Sequence, residues 1–190
     1  MDIEFERPQF MVRIELATRG LLSQIASFYV ACGYDGGVSE ADTVLVAYDG
    51  TELAGAVRLC PDSEVIVLRG MQVLPRFQRQ GIGTLLLAAC VPHFGSHAVF
   101  CLPWAHLESF YASVGFTRIN PESAPDFLSQ RYSSYVARGL KVIVMERPLP
   151  DRVVNAEASH AAREFTGSAR RRDESMASIA VVHRLNGEPV

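Results

Sequence analysis

Lysine is almost absent from this chain of 190 residues: of its 18 lysines and arginines, only Lys141 is a lysine. That absence removes the phosphate loop of nucleotide hydrolases, which ends in Gly-Lys-Ser/Thr. Excess positive charge is missing as well. The formal net charge is −3, whereas polyanion binders show a basic face, so no nucleic acid partner is expected. No apolar run approaches the ~18–20 residues that cross a bilayer, and Met1–Arg7 is acidic, without the charged-then-apolar order of a secretory leader. Cys32, Cys60, Cys90 and Cys101 make no Cys-x-x-Cys pair and have no matched histidine set, so no metal site is expected. Buried free thiols suit a reducing compartment. The expectation is a cytoplasmic chain with no membrane partner.

What is present is an α/β pattern. Phe10 to Leu16 alternates apolar and polar residues, as a strand does. Thr18 stands where it can cap a helix in which Leu21, Leu22, Ile25, Phe28 and Tyr29 recur at helical spacing. Gly33 to Gly37 breaks that helix. Thr43–Tyr48 and Glu52–Leu59, joined at Asp49-Gly50, read as a hairpin. After a turn at Pro61-Asp62-Ser63, Glu64–Leu74 forms a long strand. A helix over Gly83–Ala89, stopped near Pro92, then precedes a short strand at Ala98–Leu102, a helix over Leu107–Val114 ended by Gly115, and a strand at Leu140–Glu146. The order β-α-β-β-β-α-β-α-β calls for a sheet of about six strands. A domain over residues 1–150 is expected. Residues 151–190 hold six acids and six arginines with no sustained periodicity and read as a weakly ordered tail, with Ala156–Phe165 the one stretch able to form a helix and Ala180–Val182 a short extended piece. The Arg170-Arg171-Arg172 run reads as solvated tail.

Between the long strand and the second helix stands Gln78-Arg79-Gln80-Gly81-Ile82-Gly83. A strand that turns through glycines into a helix aims bare N–H groups, and the positive end of the helix dipole, at one place. Phosphate fits there. The dinucleotide fingerprint fails, because the third small residue it requires is Leu86.

The element order, the stretch Val73-Leu74-Pro75-Arg76-Phe77-Gln78-Arg79-Gln80-Gly81-Ile82-Gly83 and the later Phe110-Tyr111-Ala112-Ser113-Val114-Gly115-Phe116 together resemble the GNAT superfamily of acyl-CoA-dependent N-acyltransferases. The resemblance covers roughly residues 10–149. It implies a GNAT fold, a mixed central sheet of six to seven strands flanked by helices, with acetyl-CoA as co-substrate. Its diphosphate would sit on the amides of Gln78, Arg79, Gln80, Gly81, Ile82, Gly83 and Thr84, with Arg76 and Arg79 lending charge. The pantetheine arm would pair with backbone at Met71 and Val73, on either side of Gln72, where such strands carry a bulge.

The resemblance also implies chemistry. Tyr111 matches the tyrosine that gives a proton to the departing thiolate, and an unperturbed phenol, with a pKa near ~10, is protonated at neutral pH; packing beside Phe110 and Phe116 is the alternative reading of the same residue. The strand glutamate that serves some members as base is here Val67, leaving Glu64 and His106 as candidate bases. Arg58 and Arg69 interrupt apolar strands and either hold a carboxylate-bearing substrate or are paired internally. The asparagine that many relatives carry after the fifth strand is replaced by Pro103-Trp104-Ala105-His106. Tyr34, Asp35, Arg131 and Tyr132 lie where the family's acceptor pockets form and carry no signature of the acceptor, and Trp104 and Tyr34 either line that pocket or pack in the core or at its rim. The implied function is transfer of an acetyl or short acyl group from CoA to a primary amine, small molecule or peptide, by direct attack in a ternary complex. A non-catalytic acyl-CoA sensor or interaction module is the alternative. The family commonly dimerises, and nothing in the sequence decides for or against a homodimer.

Overall fold

The computed structural model describes residues 12–149. The start of the strand expected from Phe10, and every expectation for residues 151–190, lie outside the described residues. Seven strands form one sheet of hydrogen-bonded order β1-β2-β3-β4-β5-β7-β6: β1 (Val12–Leu16), β2 (Thr43–Asp49), β3 (Glu52–Asp62), β4 (Val65–Val73), β5 (Val99–Cys101), β6 (Thr117–Arg118) and β7 (Met145–Arg147). The helices are α1 (Leu22–Ala31), α2 (Ile82–Cys90), α3 (Glu108–Ala112) and α4 (Asp126–Ala137). The described chain divides into two compact units whose boundary falls at Arg58/Leu59 on β3, at Arg69/Gly70 on β4 and at Cys90/Val91.

In the first unit, β1 pairs antiparallel with β2, Ile14 opposite Ala47. Ile25, Phe28 and Tyr29 of α1 are buried against Val44, Val46, Leu53 and Ala56; burying a large apolar side chain of this kind contributes ~1.5–3 kcal/mol. Gly55 on β3 permits the close approach of α2. A Cβ built there would stand 3.0 Å from Leu86 Cδ1, 3.1 Å from the Gln72 carbonyl oxygen and 3.3 Å from Ile82 Cγ2. The helix that begins after the glycine loop is thereby pressed onto the sheet where β4 ends.

In the second unit, β4 and β5 run parallel, with Ile66 opposite Val99 and Val67 opposite Phe100. β7 lies antiparallel to β5, and β6 antiparallel to β7. Val67, Phe100, Ala124, Leu128 and Val144 form its core.

Three helices end in the same way. The amides of Gly33 and Tyr34 bond to the carbonyls of Val30 and Tyr29, those of Gly115 and Phe116 to Ala112 and Tyr111, and those of Gly139 and Leu140 to Val136 and Tyr135. The glycines have φ of +69°, +90° and +81°. Each is the left-handed stop of a Schellman motif, in which the residue after the glycine touches the residue five before it. The Tyr34 ring lies 5.0 Å from that of Tyr29, and Phe116 lies 6.1 Å from Tyr111.

Several expectations need correcting. Thr18 begins a short 3-10 turn, Arg19–Leu21, but its side chain makes no capping hydrogen bond. β3 runs through Pro61 and Asp62, with the turn one step later. A 3-10 turn over Pro75–Phe77 precedes the glycine loop, and α2 passes at Cys90 into a 3-10 turn, Val91–His93, which contains Pro92. The expected Leu140–Glu146 strand is split. Ala105 and Ile143 donate to the carbonyls of Lys141 and Pro103, and Ile119 donates to that of Val144, before β7 begins. α4 and β6 were not expected at all.

Candidate functional site

The loop joining β4 to α2 lies wholly in the first unit. Its backbone is left-handed at Arg79, φ +60°, and again at Gly81, φ +84°. For arginine that conformation is unfavourable, and such residues concentrate where a backbone shape is required. Right- and left-handed residues in succession turn consecutive N–H groups toward one concavity. The Leu85 amide makes an i−4 bond, to the Gly81 carbonyl at 3.0 Å; the amides of the first helical turn before it have no acceptor within their own helix. Among the described residues, a Cβ added to Gly81 would meet no atom within 4 Å beyond its chain neighbours. The Gln78 amide, at the start of the loop, is spent on the Pro75 carbonyl at 3.3 Å.

Side chains brace this shape rather than fill it. Gln78 Nε2 donates to the Val73 carbonyl at 2.9 Å, and Gln80 Nε2 to the Arg76 carbonyl at 2.9 Å. Arg76 is ion-paired with Glu52 and stacked 4.9 Å over Phe77, so its charge is committed within the protein. The fit of the loop to a diphosphate therefore rests on backbone amides and the α2 dipole, with Arg79 the cation of the loop itself.

Upstream, Gly70 takes φ +60° in the middle of β4. That is the conformation the glycine of a G1 bulge adopts, and it rotates the backbone groups that follow. Met71, Gln72 and Val73 come next. Gly70 carried no signal in the sequence beyond being a glycine inside a strand pattern, which by itself suggests a bulge or a close backbone approach.

Tyr111 lies in α3 of the second unit, buried and edge-on to Phe110 and Phe116 at 5.0 and 6.1 Å. It is the C3 residue of the helix stop described above. Arg147 braces the same turn: its Nε donates to the Val114 carbonyl at 2.9 Å and its guanidinium lies 5.1 Å from the Phe94 ring centre. His106 is exposed on the 3-10 turn that leads into α3. Glu64, at the turn before β4, lines a groove of about 420 Å³ with Val65, His97, Phe100, Ser123 and Glu146, a lining that includes neither His106 nor Tyr111. Val67, at the family's glutamate position, is buried core. Trp104 bridges to Val142, so the segment replacing the family asparagine spends its backbone on the neighbouring chain.

The two provocative arginines are paired internally. Arg58 NH1 lies 2.9 Å from Asp42 Oδ2 and NH2 lies 3.1 Å from the Tyr34 hydroxyl. Arg69 lies 3.6 Å from Asp62. Tyr34 packs on Tyr29 and is partly buried in the core of the first unit, while Arg131 and Tyr132 stand on α4. Burial pushes the Cys32 thiol up to about 11, the Cys90 thiol to about 12 and the Cys101 thiol well above its usual value. Such thiols stay protonated and are poor nucleophiles. Among the described residues, no group of three or more histidine, cysteine, aspartate or glutamate side chains could hold a metal ion, and no helix is long and apolar enough to cross a membrane.

A loop left-handed at Arg79 and Gly81 thus opens α2, next to a strand that is left-handed at Gly70. A family profile described as an acetyltransferase (GNAT) domain matches residues 25–129, more than half of the chain. The chain belongs to the GNAT acetyltransferase family. Solved structures agree on the fold. N-acetylglutamate synthase from Neisseria gonorrhoeae, complexed with coenzyme A and L-arginine, superposes with a TM-score of 0.55 at 19% identity, over 74% of this chain and 34% of the synthase. The Escherichia coli ribosomal-protein-S18-alanine N-acetyltransferase gives 0.54 at 16% identity over 73% of this chain and 94% of that one. Rv2747 from Mycobacterium tuberculosis, in complex with CoA and NLQ, gives 0.54 at 18% identity over 72% and 99%. At these identities the likeness is one of fold, and the chain spans about a third of the synthase. No curated protein matches it.

Proposed function

We propose that the chain transfers an acetyl or short acyl group from CoA to a primary amine. The observation that carries this reading is the β4–α2 loop, left-handed at Arg79 and Gly81 and open above Gly81. CoA supplies the activated thioester. The amides from Arg79 to Thr84 hold its diphosphate, the Gln78 amide expected among them being spent on the Pro75 carbonyl at 3.3 Å, and the backbone of Met71 to Val73, which follows the left-handed Gly70, pairs with its pantetheine arm. Tyr111 donates a proton to the departing thiolate. The base is one of two residues, His106 or Glu64, and His106, exposed on the turn entering the Tyr111 helix, is our choice. The acceptor amine attacks directly: burial holds the Cys90 and Cys101 thiols protonated, and partial burial the Cys32 thiol. The acceptors named for the similar structures, glutamate and a ribosomal protein's alanine, suggest amino acids and protein N-termini as the first amines to assay.

The test is release of free thiol from acetyl-CoA with a panel of amines: amino acids, an alanyl peptide, polyamines and a lysyl peptide. Thiol release dependent on both protein and amine supports transfer. CoA binding without thiol release from any amine class supports the sensor reading instead.

A further inference from the structure

All of the following lies within the first unit. Asp42 closes the turn before β2: its Oδ2 accepts from the Ser39 amide at 2.9 Å. The same oxygen lies 2.9 Å from Arg58 NH1 on β3, and both side chains are almost fully buried, at 8% and 6% exposure. The guanidinium carbon stands 5.5 Å from the ring centre of Tyr29 and 5.8 Å from that of Tyr34. Gly70 of β4 is pressed against this group. A Cβ built on it would stand 3.0 Å from the Tyr29 hydroxyl and 3.2 Å from Arg58 Nε. Four residues from α1, the loop after it and β4 thus meet around the planar cation of Arg58 on β3.

A buried ion pair is a poor source of stability, because desolvating both charges offsets most of their attraction. What it supplies is direction. The fork of a guanidinium fixes its partners at set angles, as an apolar filler does not. Here the fork is bonded to Asp42 and Tyr34, and packed against it is Gly70, the left-handed residue from which Met71 and Val73 follow.

We propose that Arg58 is a positioning residue for the pantetheine arm of CoA: through Asp42, Tyr29 and Tyr34 it holds β4 in its kinked form at Gly70. The inference rests on the reading above, in which β4 backbone receives that arm. Loss of the kink costs arm contacts and leaves the diphosphate loop untouched.

The experiment compares calorimetric affinity for CoA with that for 3′-phospho-ADP, which is CoA without the arm. The variants are Arg58→Lys, which keeps the pair with Asp42, and the double replacement Arg58→Met with Asp42→Leu, which leaves no unpaired buried charge. The double variant should bind 3′-phospho-ADP within twofold of the wild type and CoA about five- to tenfold more weakly, the worth of one backbone hydrogen bond. Arg58→Lys should recover part of the loss. If the double variant does not fold, Arg58→Lys carries the same comparison, with a smaller selective loss expected. A purely structural role would weaken both probes alike. That result, or no change in either, overturns the proposal. Wild-type protein that binds 3′-phospho-ADP as tightly as CoA overturns it while leaving the loop reading intact; wild-type protein that binds neither overturns the loop reading, and this proposal with it.

Discussion

Gly81→Ala separates ligand binding from folding because its Cβ enters space that the protein does not occupy. Beyond its chain neighbours, no atom of the described residues lies within 4 Å of that position, so the substitution creates no clash among them. Its folding cost is conformational: an L-residue held at φ +84° pays about 1–2 kcal/mol. Gly139→Ala provides a matched control. Gly139 has φ +81°, its added Cβ also meets nothing within 4 Å, and it terminates α4 rather than opening α2. Both variants should lose stability alike, a melting shift of about 3–8 °C. Only Gly81→Ala should lose CoA. Its methyl group stands where the diphosphate must approach the amides, and each charge-assisted N–H bond lost costs ~1.5–3 kcal/mol, which is about 10- to 150-fold in Kd. Isothermal titration of the two variants and wild type, with circular dichroism to confirm folding, measures both effects. A folded Gly81→Ala protein that binds CoA within twofold of Gly139→Ala refutes the reasoning.

Further outcomes follow from the same geometry. Tyr111→Phe keeps the edge-on contacts with Phe110 and Phe116 but removes the hydroxyl, so turnover should fall by ~10²–10⁴-fold with CoA affinity unchanged; unaltered turnover, measured by thiol release, removes Tyr111 from the chemistry. Gly55→Ala drives a methyl group to within 3.0 Å of Leu86 and 3.1 Å of the Gln72 carbonyl and should cost about 1–3 kcal/mol in urea denaturation, whereas an unchanged midpoint contradicts the packing described. Cys32 and Cys90 have folded values raised to about 11 and 12 by burial. Their contribution to stability is therefore full below pH 9 and is lost as pH rises toward 12, because the unfolded thiols ionise first. Urea midpoints at pH 8 and pH 10.5 should show the decline. Thiol alkylation at pH 8 should also be slow in the native protein and fast after unfolding, and rapid native alkylation of Cys90 would contradict its burial.

The loop was legible because Gly81 answers a backbone demand that leaves a spacing in the sequence; Gly83, expected to turn the chain with it, lies inside α2. Legible too was the Gly115-Phe116 turn, which proves to be a helix stop with its apolar contact. α4 was hidden by Ser129, Ser133 and Ser134, poor helix formers of which Ser129 and Ser133 here bond back to the backbone, Ser133 Oγ to the Ser129 carbonyl at 2.9 Å. Its boundary signals, Asp126 in the first turn and Gly139 after the last, were present without a strong apolar stripe to join them. β6 has two exposed residues and no pattern to read. The partners of Arg58 could not be named from the sequence, since Asp42 and Tyr34 lie 16 and 24 residues away and local spacing says nothing about which loop folds onto which strand.

The central claim is that backbone amides around Gly81 hold the diphosphate of CoA. Amide resonances of ¹⁵N-labelled protein, followed as CoA is added, address it most directly. The account predicts that signals from Arg79 to Thr84 shift and become protected from exchange in step with saturation, with 3′-phospho-ADP reproducing the effect. Saturable CoA binding that leaves those amides unmoved would contradict it.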